Sequence, residues 1–491
     1  MLQHHNHASR DGVYIDAALT KAAVATMHLD PTFVSPTLAG AVFAQLLYLD
    51  GVGGKPDLIF AATKENQVYA LNAATGAVVW NNLVGPLGVR PDGVCTPGPV
   101  GIIGTPIIDG SRRTLYVDAL VATTPGDGGT DGGATSNRHL VFALNADSGD
   151  VRPGWPVDVD ATARAGTLAF DSDVQNQRGA LALLDGTLYV PYGGFGGDCG
   201  AYHGWVVGIA TDDPTHVSAW ATRGGMAGVW APGGVVSDGT SLFVGTGNAT
   251  VGPTWLDGEA VIKLPPSLTA SDSTTDSYAP PNWAYLDQID ADLGGSAPLL
   301  VDVAGATPSS LVVALGKDRL AYVLDRNNLG GIATPMIGAE VSAEGMIGAP
   351  ATYTTAKGTF VTFRGFGANC PIVGAGGHIS VFGLTATAPP TLHMVWCGGP
   401  KSLTSPAISM TDTAGSNALI WMSGTEDKLH AHDAETGAEV FAGGTDADLI
   451  PGVQKYQTAI IAHGRVFIVG ARVYAFTPSP PADASVDGPT D

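Results

Sequence analysis

Leu58–Trp80 reads LIFAATKENQVYALNAATGAVVW, and the same design returns at Leu419–Phe441 as LIWMSGTEDKLHAHDAETGAEVF. Each stretch alternates along an apolar-rich run, turns on polar residues, alternates again, turns at Asn/Asp-x-x-Thr-Gly and ends on a large aromatic residue. That pattern is strand, turn, strand, turn, strand. Such a unit cannot bury both of its faces alone, so copies must pack against one another. Further copies begin at Gly104–Gly110 (GTPIIDG, leading to TLYV at Thr114–Val117) and at Gly179–Gly186 (GALALLDG, leading to TLYV at Thr187–Val190). Both are hairpins with an Asp-containing turn. Similar openings stand at Gly234–Gly239, Ala297–Asp302, Gly348–Pro350, Ser405–Ile408 and Thr458–Gly464, which with the first unit near Phe43–Trp80 make eight.

A spacing of about 45 to 60 residues suits four strands per unit, the pattern of a propeller blade. The expected fold is therefore all-β: an eight-bladed β-propeller of four-stranded antiparallel blades. The last unit, ending at Ala475–Phe476, has only about three strand-like runs. A strand from Val24–Phe33 is expected to complete it, which closes the ring and removes an exposed sheet edge. The organisation read from this is a lead-in segment over 1–21, one propeller over 22–477 and a disordered Pro/Ala/Asp-rich tail over 478–491. Thr123–Asn137 and Leu268–Pro281, rich in Gly, Asp, Ser and Thr, are expected as surface loops.

Composition agrees. The 491-residue chain has 67 glycines, only 14% charged residues and a net charge of −22, which suits turn-rich β-structure and argues against nucleic acid or anionic membrane as partners. No apolar run is long enough to span a bilayer, so no membrane insertion is expected, and no signal peptide stands in this chain. Four cysteines, Cys95, Cys199, Cys370 and Cys397, allow three pairings; Cys370 and Cys397, placed on neighbouring strands of one repeat, are the first pair expected. With sparse lysine and the Pro/Ala/Asp-rich tail, the cysteines favour a periplasmic or secreted protein, expected as a monomer.

Val68–Trp80 (VYALNAATGAVVW), with looser copies at Val141–Gly149, Tyr322–Gly330 and Leu429–Gly437, resembles the repeat of quinoprotein β-propellers, which bind pyrroloquinoline quinone or descend from proteins that do. The resemblance covers roughly 40–478. The repeat itself carries no chemistry, because non-enzymatic assembly factors share it. Positions between the repeats carry more. Val244–Asn248 (VGTGN) resembles the segment that supplies a calcium-ligating asparagine in quinoprotein alcohol dehydrogenases, so Asn248 is the implied metal ligand. Upstream, Trp230 stands where those enzymes place a tryptophan beneath the quinone, and a flat indole suits a planar tricyclic cofactor.

Ile289–Gly294 (IDADLG) resembles the segment with the catalytic aspartate. Asp290 is the implied base that takes the alcohol proton while hydride passes to the quinone, and Asp292 falls where lanthanide-using members have an extra carboxylate ligand. Two carboxylates at i and i+2 can aim at one ion, Asp290 included among the metal ligands. Lys317, in Gly316–Arg326, matches the cation that contacts the quinone oxygens and stabilises the reduced cofactor. The family's metal-binding glutamate has no counterpart in Gly197–Val206; Asp198, one position out of register, is the only candidate. The family's adjacent-cysteine pair is also absent, although Cys95 and Cys199 could bridge near the same entrance, and Ile289 replaces the tryptophan before the catalytic aspartate. Without a heme-attachment Cys-x-x-Cys-His, electrons would leave to a separate acceptor.

Each residue also has an ordinary reading: Trp230 as packing, Asn248 as a turn cap, the aspartates and Lys317 as solvated surface groups. His4, His5 and His7 are read as part of a mobile N-terminal entry strand or a tag-like tract in preference to a metal cluster, and His203 as a structural histidine in preference to a channel-facing one. Two functions follow. One is a dehydrogenase oxidising an alcohol or sugar with pyrroloquinoline quinone and Ca²⁺ or a lanthanide ion; the alternative is a non-catalytic propeller that binds a protein or polysaccharide.

Overall fold

The computed structural model describes residues 1–88, 99–123, 136–367, 370 and 377–479. Eight small antiparallel sheets, built almost entirely of strands, form an eight-bladed β-propeller. Blade 1 is Leu47–Leu49, Leu58–Ala62, Gln67–Asn72 and Val78–Leu83, so the stretch that suggested the repeat folds as three successive strands. Blades 2 to 7 open at Ile107–Asp109, Ala182–Leu184, Val236–Ser237, Leu299–Asp302, Ala351–Thr355 and Ala407–Met410, each beside a predicted opening. Blade 8 is Ile460–Ala462, Arg465–Val469 and Val473–Pro478, completed by Met27–Leu29, which pairs antiparallel with Val473–Pro478. The expected closure by the N-terminal segment is present. Three blades carry additions to the four-strand plan: Gln175–Asn176 pairs antiparallel with the end of Thr187–Gly194 in blade 3, Val13–Ile15 lies parallel to the inner strand of blade 7, and Gly331–Ile332 lies parallel to the outer strand of blade 4.

The Thr-Gly turns fasten neighbouring blades. Trp80 on the outer strand of blade 1 donates its indole N–H to the Ala146 carbonyl of blade 2 at 2.9 Å, and its ring lies against Gly149. Trp396 of blade 6 repeats this on blade 7, donating to the Ala434 carbonyl at 2.8 Å and covering Gly437. Both glycines have positive φ, 79° and 75°, and a Cβ on either would meet the indole at 2.7 Å, so turn and tryptophan both require glycine. The aspartate that opens the blade 7 turn holds it from within, as Asp433 accepts from the Glu435 and Thr436 N–H groups. Apolar side chains between blades, such as Phe60 and Trp80 with Leu115, Val117 and Phe142, form the core.

The first residues do not form a mobile tract. Residues 1–16 run inside the ring, bonded to inner strands around it: Ile108 N–H to the Leu2 carbonyl, Ser237 N–H to Ala8, Thr352 N–H to Asp11 and Ile408 N–H to Gly12, all at 2.8–2.9 Å. Arg10 is buried and donates to the carbonyls of His4, Leu181 and Val235. His4 and His5 stack with centroids 4.4 Å apart, at 1% and 0% exposure, which corrects the tag-like expectation. A polar stretch near the start of a chain reads as surface, but here His4 and His5 are buried against each other, with His5 Nδ1 3.3 Å from the Arg10 carbonyl, while His7 stays exposed.

The expected loop Leu268–Pro281 is also corrected, since Ser277–Ala279 forms the outer strand of blade 4 with Tyr278 fully buried. The apolar Tyr-Ala pair amid Ser/Thr is enough to pair with Ala260–Leu264. Of Thr123–Asn137, positions 124–135 lie outside the described residues, as do 480–491 of the tail; Pro478 itself ends a strand. Cys370 and Cys397 form a disulfide with Cα atoms 5.7 Å apart, as expected. Cys199 is not free, while Cys95 lies outside the described residues.

Candidate functional site

Loops that leave the outer strand of one blade for the next, and turns between second and third strands, emerge at the same end of a propeller. Trp230 lies on the connection from blade 3 to blade 4, Asn248 follows the second strand of blade 4 (Leu242–Thr246), Asp290 and Asp292 lie between blades 4 and 5, and Lys317 follows the second strand of blade 5 (Ser310–Leu315). Asp198 lies between the second and third strands of blade 3, so the fold brings all six sequence-predicted residues to one end of the ring. Side-chain geometry brings five of them together.

Lys317 is the hub. Its ammonium donates to Asp290 Oδ1 at 2.9 Å, forms an ion pair with Asp292 and stands 5.3 Å from the centre of the Trp230 ring, a cation–π contact. Asp292 is buried and also accepts the Asn248 backbone N–H at 2.6 Å. Burial opposes the Lys317 charge, but Asp292, followed by Asp290, outweighs it, and its pKa is raised. Asp290 ends the short helix Trp283–Ile289 in the left-handed conformation, φ 54°, and is exposed. A non-glycine residue held there is strained, and such strain gathers at functional sites. Gly247 makes the approach possible: a Cβ on it would meet Asp292 Oδ1 at 2.5 Å and Trp230 Nε1 at 2.8 Å.

Asp198 does not join the hub directly. Its carboxylate accepts the Tyr202 hydroxyl at 2.6 Å, and that hydroxyl, raised first by burial and then by Asp198, also feels Asp292 and Asp290. Beside the hub opens a cleft of about 680 Å³ whose lining includes Asp290, Lys317, Asp318, Tyr285 and Ile289, but neither Trp230 nor Asn248. Lys317 therefore stands between the cleft and the indole. His203 Nδ1 donates to the Thr222 carbonyl at 3.0 Å, a structural role.

Three participants were not read from the sequence. Arg178, on the connection from blade 2 to blade 3, places its guanidinium 5.4 Å from the Trp230 ring centre and 6.0 Å from that of Tyr456. Glu259 and Asp287 are buried, and each uses one oxygen on a backbone N–H, of Leu293 (2.5 Å) and Ala249 (2.7 Å). Their other oxygens have no partner. Burial, then the nearby Asp292 charge, pushes Glu259 up to about 9. The Asp257–Glu259 stretch (DGE) has the composition of a solvated turn, so no local signal marks Glu259 as buried.

The donor set fits a planar, anionic aromatic ligand with a cation. An indole flanked by two side-chain cations suits the first, and a buried carboxylate group with unpartnered oxygens beside a single ammonium suits the second. Among the described residues, three or more His, Cys, Asp or Glu ligand atoms within 4.8 Å of one another occur only elsewhere, so Asp198, Asp290 and Asp292 do not form a closed cage.

No family model and no curated protein matches the chain. Solved structures do. The chain is similar to quinohemoprotein alcohol dehydrogenase ADHIIG from Pseudomonas putida HK5, at 12% identity and TM-score 0.62 over 100% of this chain and 82% of that one. It is similar to the quinohemoprotein alcohol dehydrogenase from Comamonas testosteroni, at 13% and 0.57 over 97% and 81%. A europium-containing methanol dehydrogenase matches at 14% and 0.60 over 96% and 90%. At these identities the likeness shows the shared fold, an eight-bladed β-propeller. Among the described residues no helix is long and apolar enough to cross a membrane.

Proposed function

We propose that this face is a cofactor site of the quinoprotein type, in an exported, monomeric dehydrogenase of alcohols or sugars. The observation that carries the reading is the convergence of Trp230, Asp290 and Asp292 on the Lys317 ammonium, with the Asn248 backbone N–H bonded to Asp292. Trp230 would be the floor for pyrroloquinoline quinone, with Lys317 and Arg178 facing its oxygens and carboxylates. Asn248, Asp290 and Asp292, with Asp198 from the neighbouring loop, would hold Ca²⁺ or a lanthanide ion. The disulfide supports export, since such bonds persist in oxidising compartments.

The quinone, when bound, supplies a two-electron acceptor for the hydride of an alcohol carbon. Asp290 would take the hydroxyl proton, and its exposed carboxylate already faces a cleft large enough for a small alcohol or sugar. Lys317 orients that carboxylate and would place positive charge where the reduced cofactor becomes more anionic. For this, the ammonium has to move from between Asp290 and Asp292 toward the ligand. A separate acceptor then takes the electrons.

That same ammonium favours a second reading. It already neutralises the two aspartates that a metal would use, as expected of a non-catalytic propeller that displays this face to a protein or polysaccharide. Titration with the quinone and Ca²⁺, read by cofactor absorbance, indole fluorescence and dye reduction across an alcohol panel, separates them. The dehydrogenase binds the quinone and reduces dye, loses binding in Trp230→Ala and loses turnover but keeps binding in Asp290→Asn. If the wild type shows neither cofactor absorbance nor dye reduction, the proposal is overturned in favour of the binding module.

A further inference from the structure

Blade 7 carries a second constellation, independent of the ring-face residues. Its third strand, Leu429–Asp433, reads LHAHD, so His430 and His432 project from one face of the sheet. The antiparallel neighbour Glu439–Ala442 sets Glu439 opposite His432, with a bulge between Ala431 and His432. Glu439 Oε1 lies 2.7 Å from His430 Nδ1 and 3.9 Å from His432 Nε2. One ligand atom from each of the three falls within 4.8 Å of the others.

What distinguishes the cluster from a surface ion pair is how the far ring nitrogens are held. His430 Nε2 lies 2.6 Å from Glu426 Oε1, and His432 Nδ1 lies 3.2 Å from the Gly437 carbonyl, to which it can only donate. This fixes His432 as the tautomer with its lone pair on Nε2. That nitrogen is buried and has no hydrogen-bond partner among the described residues, which is unfavourable if nothing ever occupies it. A histidine whose second nitrogen donates to a carboxylate or carbonyl is the arrangement that metal sites use to orient their ligands.

We propose that His430 Nδ1, His432 Nε2 and Glu439 Oε1 bind a Zn²⁺ ion, with water as the fourth ligand. Two imidazoles and one carboxylate suit zinc, and a fourth position left to solvent gives the tetrahedral count. Glu439 is about half exposed, at 44% of its side chain, so the ion has a route from solvent. Glu426 and the Gly437 carbonyl position the two rings. Binding displaces the proton shared by His430 and Glu439, with no change in the oxidation state of any group.

The test is calorimetric titration of Zn²⁺ into the chelator-stripped, untagged full chain, with Co²⁺ as a visible-absorbance probe. The expected result is one equivalent bound. Glu426→Gln should weaken it about 10- to 100-fold. Glu439→Gln, at an exposed position that leaves folding intact, and His432→Gln should weaken it further and abolish the Co²⁺ bands. Asp50→Asn, in the exposed Asp50, Asp57, His463 cluster, should bind as the wild type does. Absence of stoichiometric binding by the wild type, unchanged affinity in Glu439→Gln and His432→Gln, or loss of the equivalent in Asp50→Asn would each overturn the assignment.

Discussion

The Lys317 ammonium stands 5.3 Å above or below the centre of the Trp230 ring, although the two residues come from different blades. Both are tied to the same buried carboxylate neighbourhood through Asp292. Replacing Lys317 by Met keeps the aliphatic stem and leaves the Asp292 charge without its counter-ion. The expected loss at pH 7 is about 3–5 kcal/mol. It should shrink as pH falls, because protonating Asp292 removes the buried charge. Urea unfolding of both proteins at pH 7.5 and pH 5 measures this, and a deficit that does not change with pH would count against the account.

Glu259 predicts the opposite slope in the wild type. Its folded pKa of about 9 lies above the ordinary 4.5, so the unfolded chain releases this proton first as pH rises. Its contribution is fully present below pH 4.5 and is lost as pH climbs toward 9. Glu259→Gln keeps an acceptor for the Leu293 N–H and does not titrate. The variant should be more stable than the wild type at pH 8 and equal to it near pH 4, as read by denaturant midpoints.

Arg10 is a buried cation held by carbonyls, with burial lowering its pKa to about 9, still charged at neutral pH. Arg10→Met strips donors from the carbonyls of His4, Leu181 and Val235. The expected cost is about 3 kcal/mol or more. Limited proteolysis should then cut within residues 1–16, whereas the wild type should resist.

Acid should loosen the same segment. Burial lowers His5 to about 4 and His4 well below its ordinary 6.5, so the unfolded chain takes up these protons first as pH falls. Stability from this pair is present above pH 6.5 and declines toward pH 4. His4→Gln/His5→Gln should flatten that decline in thermal denaturation between pH 7 and pH 4.5, and an unaltered slope would exclude the pair as its source.

The blades were legible because their signals are local. Leu58–Trp80 carries its alternation and turn residues within one short stretch, and the turn glycine is required by its positive φ, with Gly149 and Gly437 also covered by a tryptophan from the preceding blade. The missing last strand was also readable, since an incomplete blade demands a partner. Trp230, Asn248, Asp290, Asp292 and Lys317 could be picked out only through resemblance, and their common meeting point is a property of the ring. Arg178, Glu259 and Asp287 were missed because their burial depends on neighbours from other loops. His430 and His432 were seen only as repeat residues, although a His-x-His on a strand is itself a signal that two imidazoles share a face. The histidines at the start of the chain misled for the same reason: polar residues are read as surface unless the groups that satisfy them are known.

The ring is stoppered by its own opening residues, Arg10 and the stacked His4–His5 pair wedged among the innermost strands. One short stretch is thereby stitched to the innermost strands of several blades at once, so freeing it would slacken them together and not one blade at a time.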